Sequence, residues 1–206
     1  MARVKCVFDV ADHPDSANEE ARKDLADLFE HLFPGGGKGR AHAGYAILAH
    51  SPKLALNVAR MTDCVLGEIG WTQRRDLREL AVQTLNLHYK CDFSFHAHLS
   101  LAQLSGISLE QQAALPYWRT SQLFNDEQKL VIEYTLACVA GDVPEDLFVK
   151  VVEKYGEKGA VEFTVTVGWW SLWAMLLNAT RPAFQSENAQ PLPKDSSELE
   201  RYKNGE

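Results

Sequence analysis

The sequence predicts an all-α protein. Three observations carry that expectation: apolar residues recurring at three- and four-residue spacing, two capping boxes, and proline or glycine at the joints between segments. In chain order, His13-Pro14-Asp15-Ser16 reads as a loop, and Leu25, Leu28, Phe29 and Leu32 give a helix over 18–33. Pro34-Gly35-Gly36-Gly37 stops it. That glycine run before Lys38 lacks the GxxxxGK(S/T) order and follows a helix rather than a strand, so it is not read as a phosphate loop. Ser51-Pro52 predicts an N-cap and a first helical proline, opening a helix to about Leu66. Thr72 is expected to cap the next helix, which carries Leu77, Leu80, Ala81, Leu85 and His88.

Tyr89-Lys90 interrupts the pattern, and another helix runs from about Cys91 to Leu104, ended by Ser105-Gly106. Ser108-x-x-Gln111 and Asn125-x-x-Gln128 are capping boxes, the second opening a helix that reaches Ala140. Pro144 begins one more, stopped by Gly156. The stretch 161–178 reads two ways. Val161, Phe163, Val165 and Val167 alternate like a strand, whereas Trp169, Trp170, Trp173, Leu176 and Leu177 have helical spacing; its length favours a buried helix. Beyond Arg181-Pro182 the chain turns polar and proline-bearing. The expected organisation is one helical domain over 1–185 and a mobile polar tail over 186–206.

At 206 residues the chain can bury a core without a disulfide or metal staple, and 46% hydrophobic with 24% charged residues is globular composition. A net charge of −7 argues against a nucleic-acid partner. No apolar run approaches the ~18 residues of a membrane span, and the N-terminus lacks the apolar core of a secretory signal. Four widely spaced cysteines do not form a disulfide framework. The expected setting is cytoplasmic.

Reactive side chains concentrate between Glu79 and His98, with Tyr89, Cys91, Asp92, Ser94 and His96 between them. On a helix Cys91, Ser94 and His98 share a face, and His96 points elsewhere. Cys91 falls at a helix start, where the macrodipole favours a thiolate. His98 lies two turns on, roughly 10 Å along the axis, so Ser94, water or substrate would have to relay a proton between them. His96 and His98, two apart, splay about 200° around a helix and make a poor metal pair. The bland alternatives are a buried structural cysteine and partly exposed polar histidines.

Arg78-Glu79-Leu80-Ala81-Val82, then Cys91-Asp-Phe-Ser94-Phe-His-Ala-His98, then Ala102-x-x-x-Gly106-Ile-Ser, resemble the carboxymuconolactone decarboxylase family, which includes the alkyl hydroperoxidase D (AhpD) proteins. The resemblance takes in Tyr45-Ala-Ile-Leu-Ala-His50-Ser51-Pro52, the helix after Asn125 and residues 168–178, most of 40–182. It implies an AhpD-like helical bundle and a homo-oligomer, trimer or hexamer. The peroxidase branch has a glutamate, a CxxC motif twelve residues on, and a histidine seven after its first cysteine. Glu79, Cys91 and His98 occupy those positions, and Ser94 replaces the second cysteine. Serine cannot resolve a sulfenic acid, so the family's internal disulfide cycle looks unavailable here. The decarboxylase branch keeps the histidine with an aromatic-rich approach, which Phe93, Phe95 and His98 match.

Two enzyme readings follow. The first is a cofactor-free lyase, decarboxylase or isomerase acting on a small cyclic or aromatic-derived acid. In it His98 is the general acid/base, Glu79 orients it, and Cys91 and Ser94 complete the catalytic group. Tyr89, Phe95, His96, Trp169 and Trp170 would bind substrate, and no metal or other cofactor is expected. The tryptophans also read as ordinary core or subunit interface. The second is a thiol-dependent peroxidase or reductase using Cys91 with an external resolving thiol, with a depressed Cys91 pKa. A non-catalytic binding or assembly module is the remaining reading.

Overall fold

The computed structural model describes residues 3–35 and 41–182. Among these residues there are eight α-helices and no strand: α1 Glu19–Leu32, α2 Ala43–Leu48, α3 Pro52–Gly67, α4 Arg75–His88, α5 Asp92–Leu104, α6 Leu109–Ala114, α7 Asp126–Ala140 and α8 Glu145–Thr180. They divide into two compact units, one of residues 3–68 with 176–182 and one of residues 69–175. The polar tail expected over 186–206 lies outside the described residues.

In the first unit α1 packs on α3. Asn18 caps α1, its Oδ1 accepting from the backbone N–H of Glu20 at 2.9 Å and of Ala21 at 3.3 Å. Leu25 and Leu28 are fully buried, as the helical spacing requires. Pro52 opens α3 after Ser51, although the Ser51 hydroxyl makes no capping bond. The sequence reading missed α2, which is six residues long, almost wholly buried, and capped by an imidazole: His42 Nδ1 accepts from Gly44 N–H at 3.2 Å.

In the second unit α4 packs against both α5 and α7. Leu80, Ala81, Ile107, Val131, Ile132 and Phe163 lie in its core. Both capping boxes form, Ser108 with Gln111 and Asn125 with Gln128. Thr72 does not cap α4. It sits fully buried in a 3-10 turn, Trp71–Gln73, with its hydroxyl donating to Ile69 O at 2.8 Å, and Arg74 occupies the N-cap position. Tertiary contacts fix that extra turn. Trp71 N–H donates to Glu162 Oε2 at 2.9 Å, and its ring stacks on Phe163 at 3.9 Å.

Helix α8 settles the two-way segment. Gly156 breaks it with φ 72° and ψ 168°, a conformation open essentially to glycine alone, and the helix then resumes through Thr180. The strand-like alternation of valines is overridden by packing. Tyr134 on α7 bonds Thr164 on α8 at 2.6 Å, and Ala160, Phe163 and Val167 enter the core. By length and composition alone α8 also qualifies as a membrane span, contrary to the reading of the sequence; half of its most apolar window is buried inside the protein.

Candidate active site

Helices α4 and α5 are joined by a tight reversal that sets the site. Lys90 takes a left-handed conformation, φ 52°. Lys90 N–H donates to Leu87 O at 3.1 Å and Cys91 N–H to Asn86 O at 2.8 Å, the paired bonds of a Schellman motif. Cys91 thus closes α4 and stands at the N-cap of α5.

One turn into α4, Glu79 is buried to 1% exposure because the helix is covered on both sides. A lone carboxylate there would cost several kcal/mol. Instead it is ringed by charge-assisted donors. Arg78 Nε donates to Oε1 at 3.1 Å, with Nη2 in ion-pair contact with the same oxygen at 3.0 Å, and His98 Nδ1 meets Oε2 at 2.7 Å. Burial pushes the Glu79 carboxyl upward, but the His98 bond, the His98 charge and Arg78 outweigh it and hold the group below its ordinary range. An ionised carboxylate only accepts, so the proton of the neutral imidazole sits on Nδ1, and Nε2 is its basic nitrogen. The His98 side chain is 19% exposed.

The sulfur is treated differently. Cys91 is fully buried, and burial pushes its thiol up; the Ser94 N–H bond to sulfur lowers it by less, and Asp92 raises it further. The expected thiolate is therefore not favoured: desolvation exceeds what the helix start contributes. Ser94 is buried beside it. Among the described residues no hydrogen bond joins His98 to Cys91 or to Ser94. His96 does not join the Glu79 pair; burial lowers its pKa, opposed by Asp92, and its ring lies edge-on to Phe95 at 6.1 Å.

The candidate wall residues are scattered. Phe95 is completely buried core, its carbonyl accepting from Gln83 Nε2 at 3.1 Å. Tyr89, half-buried, meets His88 edge-on. Trp170 is buried in α8, and Trp169 packs edge-on against Trp173 at 6.1 Å. No ring contact or hydrogen bond joins either Trp169 or Trp170 to His98 among the described residues. Nor, among these residues, does any group of three or more His, Cys, Asp or Glu stand ready to hold a metal ion.

Sequence reasoning gave Arg78 no role. It also passed over a buried amide chain: Asn86 Nδ2 donates to Gln83 Oε1 at 3.3 Å, Gln83 Nε2 to Gln112 Oε1 at 2.7 Å, and Gln112 Nε2 to Ile107 O at 3.2 Å. This chain ties α4 to α5 and α6. The available signal was three uncharged amides inside apolar stretches, at 83, 86 and 112.

Solved structures share this arrangement of helices. Debrominase Bmp8, in a cysteine-to-alanine variant bound to 2,3,4-tribromopyrrole, superposes with a TM-score of 0.61 at 12% identity, covering 98% of this chain and 96% of its own. Its apo form gives 0.59 at 15% identity over 84% of this chain and 89% of that one. A protein of unknown function from Agrobacterium tumefaciens, for which an AhpD antioxidant defence role has been suggested, gives 0.57 at 18% identity over 68% of this chain and 94% of its own. The chain has the AhpD-like fold. No protein-family model matches it, and no curated protein matches it in sequence. Within this fold Glu79 lies on α4 and His98 on α5, and the two side chains meet.

Proposed function

We propose that the protein is an acid/base enzyme, a cofactor-free lyase, decarboxylase or isomerase of the carboxymuconolactone decarboxylase type, acting on a small cyclic or aromatic-derived acid. The observation that carries this reading is the 2.7 Å contact between His98 Nδ1 and a buried Glu79 held as a carboxylate. Glu79 orients the ring and stabilises the imidazolium that forms when Nε2 takes a proton. In an isomerisation, Nε2 removes a proton from carbon beside a carbonyl, the electron pair moves into the enolate, and the imidazolium, whose N–H exchanges with solvent, returns a proton at another carbon. In a decarboxylation, Nε2 takes the proton of the substrate carboxyl, the C–C bond electrons pass into the substrate's conjugated system as carbon dioxide leaves, and the imidazolium returns that proton to the resulting carbanion. That Bmp8 binds a bromopyrrole supports a compact ring as substrate for this fold. Assembly as a trimer or hexamer belongs to the same proposal, and sedimentation velocity checks it.

The test is a panel of small cyclic keto acids and lactone acids incubated with the protein in deuterated water, followed by NMR. Deuterium incorporation or carbon dioxide release is expected from the parent protein and not from His98→Ala. Turnover that survives His98→Ala would sink the assignment.

A second reading, thiol peroxidase chemistry, rests on the Ser94 N–H bond to the Cys91 sulfur at the start of α5. Peroxide would oxidise Cys91 to a sulfenic acid, with water as the other product, and an external thiol would reduce it. Peroxide-dependent turnover that needs Cys91 and an added thiol would favour it.

A further inference from the structure

We propose that Arg78 is a positioning residue for the acid/base pair: it occupies one oxygen of Glu79, leaves the other as the acceptor for His98, and so fixes the imidazole with its proton on Nδ1. This rests on the acid/base reading of the site and assigns a residue that neither the sequence motif nor the fold explains. Adjacent residues on a helix point about 100° apart, so a contact between Arg78 and Glu79 is not a by-product of helix geometry. The arginine has to fold back along α4, and it is held in that posture. Nη1 reaches Thr72 O at 3.4 Å, and Thr72 is itself fixed to Ile69 O at 2.8 Å in the turn before α4. Its side chain is 15% exposed, against 51% for Arg74 a turn earlier, whose partners Asp76 and Glu127 are surface carboxylates.

The consequence is chemical. Glu79 is buried, and burial favours its neutral form. With His98 as the only partner, the carboxyl could keep a proton and donate it to Nδ1, which would move the ring proton to Nε2 and remove the base. A cation on Oε1 that does not titrate prevents that reversal. Arg78 thereby controls which nitrogen carries the proton without touching substrate.

The experiment is two-bond proton–nitrogen NMR of the His98 ring, with carbon-detected titration of the Glu79 carboxyl, in the parent protein and in Arg78→Met and Arg78→Lys. The parent should show the Nδ1–H tautomer alone. Arg78→Met should show a mixture, with the carboxyl titrating about 1–3 pH units higher, the size of an opposite-charge effect. Arg78→Lys, which restores the charge, should return both toward the parent. A side chain that merely supports the fold would lower stability in both variants and move neither signal, and that result overturns the proposal. Should Arg78→Met fail to fold, Arg78→Gln makes the same comparison with a polar side chain. The two readings fail separately. NMR changes as described in a protein with no proton-transfer turnover would leave Arg78's role standing and remove the function. His98-dependent turnover with unmoved NMR signals would do the reverse.

Discussion

The N-cap of α5 and its second turn carry the two candidate reactive groups, and they are built in opposite electrical senses. At His98 a buried carboxylate is kept charged by hydrogen bonds from His98 and Arg78 and by the charge of the Arg78 guanidinium. At Cys91 the thiol is kept neutral, because burial and the Asp92 charge outweigh the one backbone N–H that reaches the sulfur. The same degree of enclosure therefore gives a stabilised ion in one place and a suppressed one in the other. Burial does not decide the outcome; the number of fixed donors does. An active centre is expected where the protein spends interactions on holding charge, which is the His98 end.

Removing the imidazole breaks this contrast most directly. His98→Ala should cost the chemical step about 10²–10⁴-fold, the usual range for a general acid/base. His96→Ala, two residues away and outside the Glu79 pair, should cost far less. Equal losses in steady-state kcat would refute the assignment of roles along α5.

Glu79→Gln comes next. A glutamine has one oxygen for two sets of donors, so either Arg78 or His98 faces an amide NH2, and the unmet buried donor costs about 1–3 kcal/mol. The pH dependence carries a sign that can be checked. The folded-state pKa of Glu79 is depressed, so its contribution is fully present above the ordinary carboxyl range and is lost as pH falls through the lowered folded value. Denaturant midpoints of the parent should fall through that acid window, and those of Glu79→Gln should fall less. Parallel curves would mean that Glu79 is not held ionised.

How far the sequence reveals this site follows from which interactions are local. Local signals were readable: the register of α1 follows from the 3.6-residue period, and both capping boxes follow from a polar cap residue with glutamine three positions on. The meeting of Glu79 with His98 was available only through the family resemblance, since nothing local to α4 says which neighbour its carboxylate faces. Arg78 was invisible because adjacent helix positions point about 100° apart, so spacing alone does not pair it with Glu79. Thr72 misled because its hydroxyl is committed to Ile69 O and Trp71 is pinned to Glu162, contacts made by tertiary packing. Phe95, proposed as a pocket wall, shows the same limit: an aromatic residue reads alike whether it lines a cavity or fills a core.

The sulfur gives a smaller effect. Cys91→Ser should reduce acid/base turnover about tenfold, roughly 1.4 kcal/mol in the barrier, because a hydrogen-bonding group remains at the start of α5. The raised thiol adds a signature in stability. The unfolded chain ionises first as pH rises past the ordinary thiol range, so the parent loses stability from that range upward until the folded thiol also ionises. Cys91→Ser should lose less over the same alkaline window in denaturant titrations. Complete inactivation by Cys91→Ser, with peroxide-dependent turnover in the parent, would transfer the active centre to the sulfur.

The smallest expected effect tests the joint that sets both places. Helices α4 and α5 each end in a Schellman motif. At the end of α5 the left-handed residue is Gly106, φ 96°, with Ile107 N–H on Ala102 O at 2.9 Å; at the end of α4 it is Lys90, φ 52°. A residue with a Cβ in that conformation costs about 1 kcal/mol or more. Lys90→Gly removes that strain. Against it stand about 0.5–1 kcal/mol of added chain entropy and a few tenths for losing a cation near a helix C-terminus. These contributions nearly cancel, leaving a change within about 0.5 kcal/mol of zero and a Tm shift of no more than roughly 1–2 °C for a chain of this size. Because Cys91 N–H supplies one bond of the motif, turnover and thiol reactivity should stay at parent levels if the joint keeps its geometry. A fall in Tm of several degrees would show that Lys90 contributes more through its side chain than its backbone conformation costs. A change in Cys91 reactivity at unchanged Tm would show instead that this reversal, and not burial, governs the sulfur.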